Sequence, residues 1–257
     1  MSSISNQNLR IYIPSLNRPQ ALISKTLKIL DGIDKDLITI VVSNEEQLES
    51  YHKMIKDYPL LVSNTNSIGE KRNFIKGIAR EEYIVMIDDD LSSIIDSDGV
   101  KLSGERIWAL ILKGFETCIK SKVSMWGICG YSNTFYMKDI ISVNSLRFIC
   151  GNFMGFIQNE TYPPIFTPYP LLEDYYFSCK HFLRDKGIVK FQGIGCDTRF
   201  AKNKGGIQSH FSTEERLANE YKIIDQMSCE LPQKMFWITE TSRGKNLRLN
   251  YRFRINE

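Results

Sequence analysis

Five consecutive apolar residues, Tyr83-Ile84-Val85-Met86-Ile87, run without a break into Asp88-Asp89-Asp90. A strand that is apolar at every position buries both faces, which demands a sheet covered on two sides. Open α/β sheets of that kind bind ligands outside the carboxyl ends of their strands, where the three aspartates fall. Adjacent anions repel one another, and folding alone supplies no reason to cluster them. A divalent cation does, because hard carboxylate oxygens suit Mg²⁺ or Mn²⁺, above all where phosphate oxygens complete the shell. The competing reading is a solvated acidic turn, and the buried strand before it weighs against that.

The surrounding sequence alternates strand and helix. Residues 9–14, 37–42 and 60–62 are short apolar or β-branched runs, as buried strands are. Helical spacing is expected over 20–30, 45–56 and 69–80, and the βαβαβαβ order predicts a Rossmann-like α/β domain with a mostly parallel sheet. Residues 91–103, around Asp98-Gly99, read as a polar loop. Ile107, Leu110, Ile111, Gly114, Phe115, Cys118 and Ile119 then fall on one helical stripe. Beyond that the pattern is less regular. Strands are expected near 124–130, 134–138 and 188–194, and Pro163, Pro164, Pro168 and Pro170 mark an extended loop. Ser212 followed by Glu215 is a capping box for a helix over 213–228.

Composition narrows the classes. The 257 residues carry a net charge of +3, too small by itself to imply a nucleic-acid partner. No stretch approaches a membrane span, and the polar first residues carry no signal-peptide pattern. Six cysteines without metal-ligand spacing read as reduced thiols of a cytoplasmic protein.

Five further segments carry residues suited to chemistry. Pro14-Ser15-Leu16-Asn17-Arg18-Pro19 follows the first strand but lacks the glycines of a dinucleotide fingerprint or a P-loop, so it is a plain turn or a grip on base or phosphate. Gly69-Glu70-Lys71-Arg72-Asn73 opens a helix whose N-terminus and cations suit a pyrophosphate. Gly151-Asn152-Phe153-Met154-Gly155 is a pocket wall approaching a sugar or a buried bend. Glu173-Asp174 sets two carboxylates among apolar neighbours, which raises a carboxylate pKa toward a general base's range. Helix capping by Asp174 is the plainer reading and is compatible with that role. His210, after Gly205-Gly206, is a structural histidine or a metal ligand.

In this order the motifs resemble the GT-A glycosyltransferases, which use nucleotide-sugar donors. The resemblance covers roughly residues 9–212. It implies a nucleotide-sugar-binding half over 1–103, an acceptor-binding and catalytic half over 104–230, and a basic segment over 231–257. It implies Asp90 as a direct Mn²⁺ or Mg²⁺ ligand with His210, and Asp88 as a ligand through water or a grip on the ribose. Asp89 is implied at the donor sugar, with Pro14, Ser15, Asn17, Arg18 and Asn73 also at the donor. Lys71 and Arg72 are implied at its phosphates. Asn44 stands near the place where many members hold the donor base with an acidic residue. Asp174 is implied as the base that deprotonates the acceptor, supported by Glu173, with inversion at the anomeric carbon. Asn152, Phe153, Met154 and Gly155 would face the acceptor.

Within that fold the opening turn and triple aspartate look most like the phage and protist enzymes that glycosylate hydroxylated DNA bases, related to the base J glucosyltransferase. That likeness implies a UDP-sugar donor, duplex DNA bearing 5-hydroxymethylpyrimidine, no membrane, and a host-cytoplasm location if phage-encoded. The tail interleaves Arg248, Arg252 and Arg254 with Tyr251 and Phe253, as phosphate contact and stacking require, or as a charged edge strand would. A strand there would place the three arginines on one face. The rivals are a cell-surface polysaccharide or lipid acceptor, a nucleotidyltransferase and a non-catalytic binding module.

Overall fold

The computed structural model describes residues 4–197, 212–241 and 244–255. The elements run β1 (Leu9–Pro14), α1 (Pro19–Ser24), α2 (Thr26–Ile29), β2 (Ile38–Val42), α3 (Glu45–Met54), β3 (Leu60–Val62), α4 (Ile68–Ile78), β4 (Tyr83–Ile87) and β5 (Ser93–Asp96). They continue with α5 (Gly104–Ser121), β6 (Met125–Cys129), β7 (Ile141–Ser142), β8 (Phe153–Ile157), α6 (Glu173–Asp185), β9 (Val189–Asp197), α7 (Thr213–Glu230), β10 (Phe236–Thr241) and β11 (Gly244–Leu249).

Nine strands form one sheet in the order β3-β2-β1-β4-β8-β6-β9-β5, with β7 also on β9. The first four are parallel, and β8 enters antiparallel between β4 and β6. Strand periodicity sorts the core into two layers. Ile11, Ile13, Val85 and Ile87 pack with Leu22, Ile107, Ile111 and Phe115 on one face. Tyr12, Val41, Ile84 and Met86 pack with Ile75, Phe177 and Met227 on the other. This is the α/β domain that the strand–helix order implied, covered on both faces.

Several local expectations change. The helix over 20–30 breaks at Lys25, where Thr26 turns its hydroxyl to donate to Asp88 O and accept from Leu91 N. The loop over 91–103 contains β5, which pairs with β9. The strand expected at 134–138 is a single 3₁₀ turn, because the Asn133 side chain accepts from Phe135 N. Residues 153–157 form β8, not a bend. The helix begun by Ser212 and Glu215 forms with both capping-box bonds.

Candidate active site

The three aspartates lie at the end of β4, and each has a different environment. Asp89 is buried and receives Ser15 Oγ at 2.5 Å and Arg18 Nη2 at 2.9 Å. Asp90 is partly exposed and paired with Arg18 Nη1 at 3.0 Å. Asp88, also partly exposed, is paired with Arg72 Nη2 at 2.9 Å. Burial pushes Asp88 and Asp89 each up to about 6, against the pull of Arg72 and Arg18 respectively. Asp89, expected at the donor sugar, is instead an internal anchor for the β1 turn.

That turn is firmly held. Asn17 adopts the left-handed backbone that asparagine tolerates. Tyr51, on α3, shares a 2.6 Å hydrogen bond with Ser15 Oγ and accepts from Arg18 N at 2.9 Å. Lys71 donates to Ser15 O and Ser43 Oγ at 2.6 and 2.8 Å, and burial lowers its pKa to about 8. Pro14 ends β1 opposite Val41. Asn44 is exposed and caps α3 through Gln47 N.

Arg72 ties this half to the other. Its guanidinium, 1% exposed, donates to Asp88, to Gly151 O at 2.8 Å and to Glu173 Oε1 at 2.5 Å across 101 residues of sequence. A Cβ at Gly151 would lie 2.2 Å from Arg72 Nη1, so only glycine lets the guanidinium pass. Lys71 and Arg72, expected at donor phosphate, are instead both buried and committed to protein partners. Gly69 is needed for a similar reason, since its Cβ would fall 2.0 Å from Tyr169 O. Asn73 turns to that same loop, exchanging bonds with Thr167 O and N at 2.7 and 2.9 Å, and not to a donor crevice.

α6 begins at Glu173, and Leu172 before it takes a left-handed φ of 58°. A non-glycine residue there costs roughly 1–3 kcal/mol. Asp174 is therefore not the cap. Its Oδ2 accepts from Gly151 N at 3.1 Å and its Oδ1 from Tyr175 N at 2.9 Å. Burial raises its pKa, opposed by Arg72 and by those two N–H groups. Glu173 is pushed up to about 7 by burial, with Arg72 pulling down and Asp174 adding to the rise. Thus Asp88 and the Glu173–Asp174 pair meet around one guanidinium.

Asn152 joins them from the first position before β8. Its carbonyl accepts from Asp88 N at 3.0 Å. Its side chain is 3% exposed, and neither amide atom has a partner. Phe153 and Met154 are core residues of β8, and a Cβ on Gly155 would fall 2.0 Å from Trp126 Nε1. These three belong to the sheet interior and do not form a pocket wall.

A divalent ion fits the described residues in one manner. Five carboxylates, Asp88, Asp89, Asp90, Glu173 and Asp174, gather around Arg18, Lys71 and Arg72, so negative charge is in excess. No group of three His, Cys, Asp or Glu among the described residues forms a metal cage. Such a donor set suits an ion held by one or two carboxylates with phosphate oxygens supplying the rest. His210 lies outside the described residues.

The C-terminal segment forms a β10–β11 hairpin in which Trp237 sits opposite Arg248, both exposed. The strand ends at Leu249, so Arg252 and Arg254 do not share a strand face with Arg248. Phe253 instead packs inward on Phe182, and Arg252 and Arg254 remain exposed. Among the described residues no helix is long and apolar enough to cross a membrane.

Tyr51 and Thr26 escaped the sequence reading. Tyr51 had one signal, a lone aromatic within a polar helix. The cations of α4 had another: Gly69, Arg72, Lys76 and Ile75 occupy the spacing of a buried face.

Curated proteins offer no match to the sequence. Among solved structures, glucosyl-3-phosphoglycerate synthase from Mycobacterium tuberculosis, in complex with Mn²⁺, UDP-glucose and phosphoglyceric acid, has a TM-score of 0.56 at 11% identity, covering 94% of this chain and 86% of that one. A mycobacterial protein has a TM-score of 0.53 at 11% identity, covering 95% and 84%. S. aureus TarS 1-349 has a TM-score of 0.48 at 14% identity, and the match covers 74% of this chain but 59% of that one. The model of the TET-associated glycosyltransferases matches residues 9–197. The chain, a GT-A glycosyltransferase by fold and sequence, belongs to the TET-associated glycosyltransferase family.

Proposed function

We propose that the protein transfers a sugar from a UDP-sugar to the hydroxyl of a 5-hydroxymethylpyrimidine in DNA, with a divalent metal and inversion at the anomeric carbon. The observation that carries this reading is the meeting of Asp88 with Glu173 and Asp174 around Arg72. It puts an acidic strand end suited to a metal–diphosphate beside a carboxylate suited to a base. The solved Mn²⁺ and UDP-glucose complex of a protein of this fold supports the donor class. The family's association with base-hydroxylating enzymes supports the acceptor.

Asp90 and Asp88, with His210, would hold Mn²⁺ or Mg²⁺, which neutralises charge on the departing nucleoside diphosphate. The β1 turn, from Ser15 to Arg18, would receive the nucleotide. Asp174 Oδ would take the proton of the acceptor hydroxyl as that oxygen attacks. Attack opposite the leaving diphosphate inverts the anomeric centre. Glu173 and Arg72 hold Asp174's surroundings fixed, and Arg72 keeps Asp174 nearer its anionic form. Asn152, with both amide atoms unpartnered, would hydrogen-bond the acceptor. The exposed arginines 248, 252 and 254 would meet DNA phosphates.

Nucleoside mass spectrometry of hydroxymethylated duplex DNA, incubated with the protein, Mn²⁺ and a panel of UDP-sugars, tests the reading. One sugar mass added to the modified nucleoside is the expected result. Donor hydrolysis with no DNA product would move the acceptor to a glycan or lipid.

A further inference from the structure

The loop after β6 leaves two adjacent aromatic rings in water. Phe135 is 84% exposed and Tyr136 63%. Their centroids are 5.0 Å apart with perpendicular planes. Single exposed apolar residues need no explanation, but a presented pair of rings does. The turn beneath them is built. Asn133 Oδ1 accepts from Phe135 N at 3.1 Å, and Met137 N donates to Thr134 O at 3.0 Å. Met137, next in the chain, is buried. β9 grips the loop closely, because a Cβ at Gly195 would fall 2.0 Å from Tyr131 O and one at Gly193 2.9 Å from Asp139 Cα.

The same loop begins at the crevice. A Cβ at Gly130 would lie 2.7 Å from Cys150 Sγ and 3.8 Å from the unpartnered Asn152 Nδ2. Tyr131, the next residue, reaches Tyr136 O through its hydroxyl at 3.5 Å and neighbours Tyr251. Arg147 covers the Tyr251 ring at 4.8 Å. An aromatic belt therefore runs from the catalytic crevice to an exposed tip, with a cation along it.

Resting on the DNA reading above, we propose that the Phe135–Tyr136 turn stacks on the bases flanking the acceptor nucleotide when that base is swung out of the duplex into the crevice. Asp174 and Asn152 are buried or half-buried, so a base still in its stack cannot bring its hydroxymethyl group to them. Extrusion leaves a gap that an inserted apolar side chain fills. Aromatic rings suit the task without regard to sequence, because every base has a π-face. Arg147 supplies positive charge along the belt, complementary to the phosphates of that occupant.

The test is the double variant Phe135→Ala/Tyr136→Ser on DNA carrying one hydroxymethylated base beside 2-aminopurine. Thermal unfolding and donor hydrolysis without DNA should match wild type. Turnover on duplex should fall on the order of 10- to 100-fold, the scale of base–aromatic stacking. Turnover on the same single strand should fall far less. The 2-aminopurine emission should shift from its free-duplex value with wild type, as its neighbour leaves the stack and a ring takes that place, and keep that value with the double variant. Phe135→Trp should retain duplex turnover. Duplex turnover within about twofold of wild type, or equal loss on both substrates, would overturn the proposal. So would a change of oligomeric state, which would make the rings a contact between copies. Wild type inert on DNA would overturn the DNA reading itself and this proposal with it.

Discussion

The β1–β4 side and the α6 side of the crevice are built by different means. From β1 to Asp90 the chain delivers each residue locally: strand, turn, helix, strand, with parallel neighbours β3-β2-β1-β4. The α6 side is assembled from distant pieces. Gly151 and Asn152 arrive ahead of the antiparallel β8, Glu173 and Asp174 on the first turn of α6, and the aromatic loop after β6. Local construction makes a site whose parts survive separately. Distant construction makes one that depends on a clasp, and Arg72 is that clasp.

Loss of the strand-end carboxylate should have the largest effect. Asp90→Asn should abolish turnover while leaving the fold intact, since the residue lies at the crevice mouth, and EDTA should reproduce it. Full activity in EDTA would remove the metal from the account.

Arg72→Met should come next and should break both sides at once. Removing one partner from a buried ion cluster costs about 3–5 kcal/mol, because Asp88 and Glu173 are left uncompensated. Denaturant unfolding measures this. A loss under about 1 kcal/mol would mean that the halves are not joined through the guanidinium.

The pH profile should separate the halves more finely. Burial raises Asp174, and the base proposed there works only when unprotonated. The rate should therefore climb with pH along an acid limb lying above the ordinary aspartate value of about 3.9. Glu173, pushed up to about 7, broadens that limb. A limb at or below about 4 would exclude Asp174 as a buried base.

The smallest effect should come from the periphery. Replacing Arg248, Arg252 and Arg254 with serine should flatten the salt dependence of DNA binding, by about 0.9 in log–log slope for each phosphate that the arginines neutralise. Donor hydrolysis should not change. An unaltered slope would make the tail a structural edge.

The same contrast governs what could be read from sequence. β1, β2, β3 and β4 and the stripe of α5 were legible because their periodicity is local. β8 was not, because Gly155 resembles a bend. Its missing side chain actually makes room for the Trp126 indole, which no local pattern reveals. The carboxylates of both halves were legible as candidates, but their partners were not. Asp89 reads like its neighbours, yet Ser15 and Arg18 turn it inward. Arg72 reads as a first-turn cation for a donor phosphate, and only the fold shows that Glu173 and Asp88 have claimed it.

The most direct measurement of the central claim is Asp174→Asn, assayed for UDP-sugar binding and for transfer in the same preparation. The variant keeps the shape of the side chain and loses its proton acceptor. If Asp174 is the base of an active centre joined to a separate donor site, donor affinity stays within about twofold of wild type. Transfer then falls on the order of 10²–10⁴-fold. Equal loss of donor binding would contradict the account and place Asp174 in the nucleotide site.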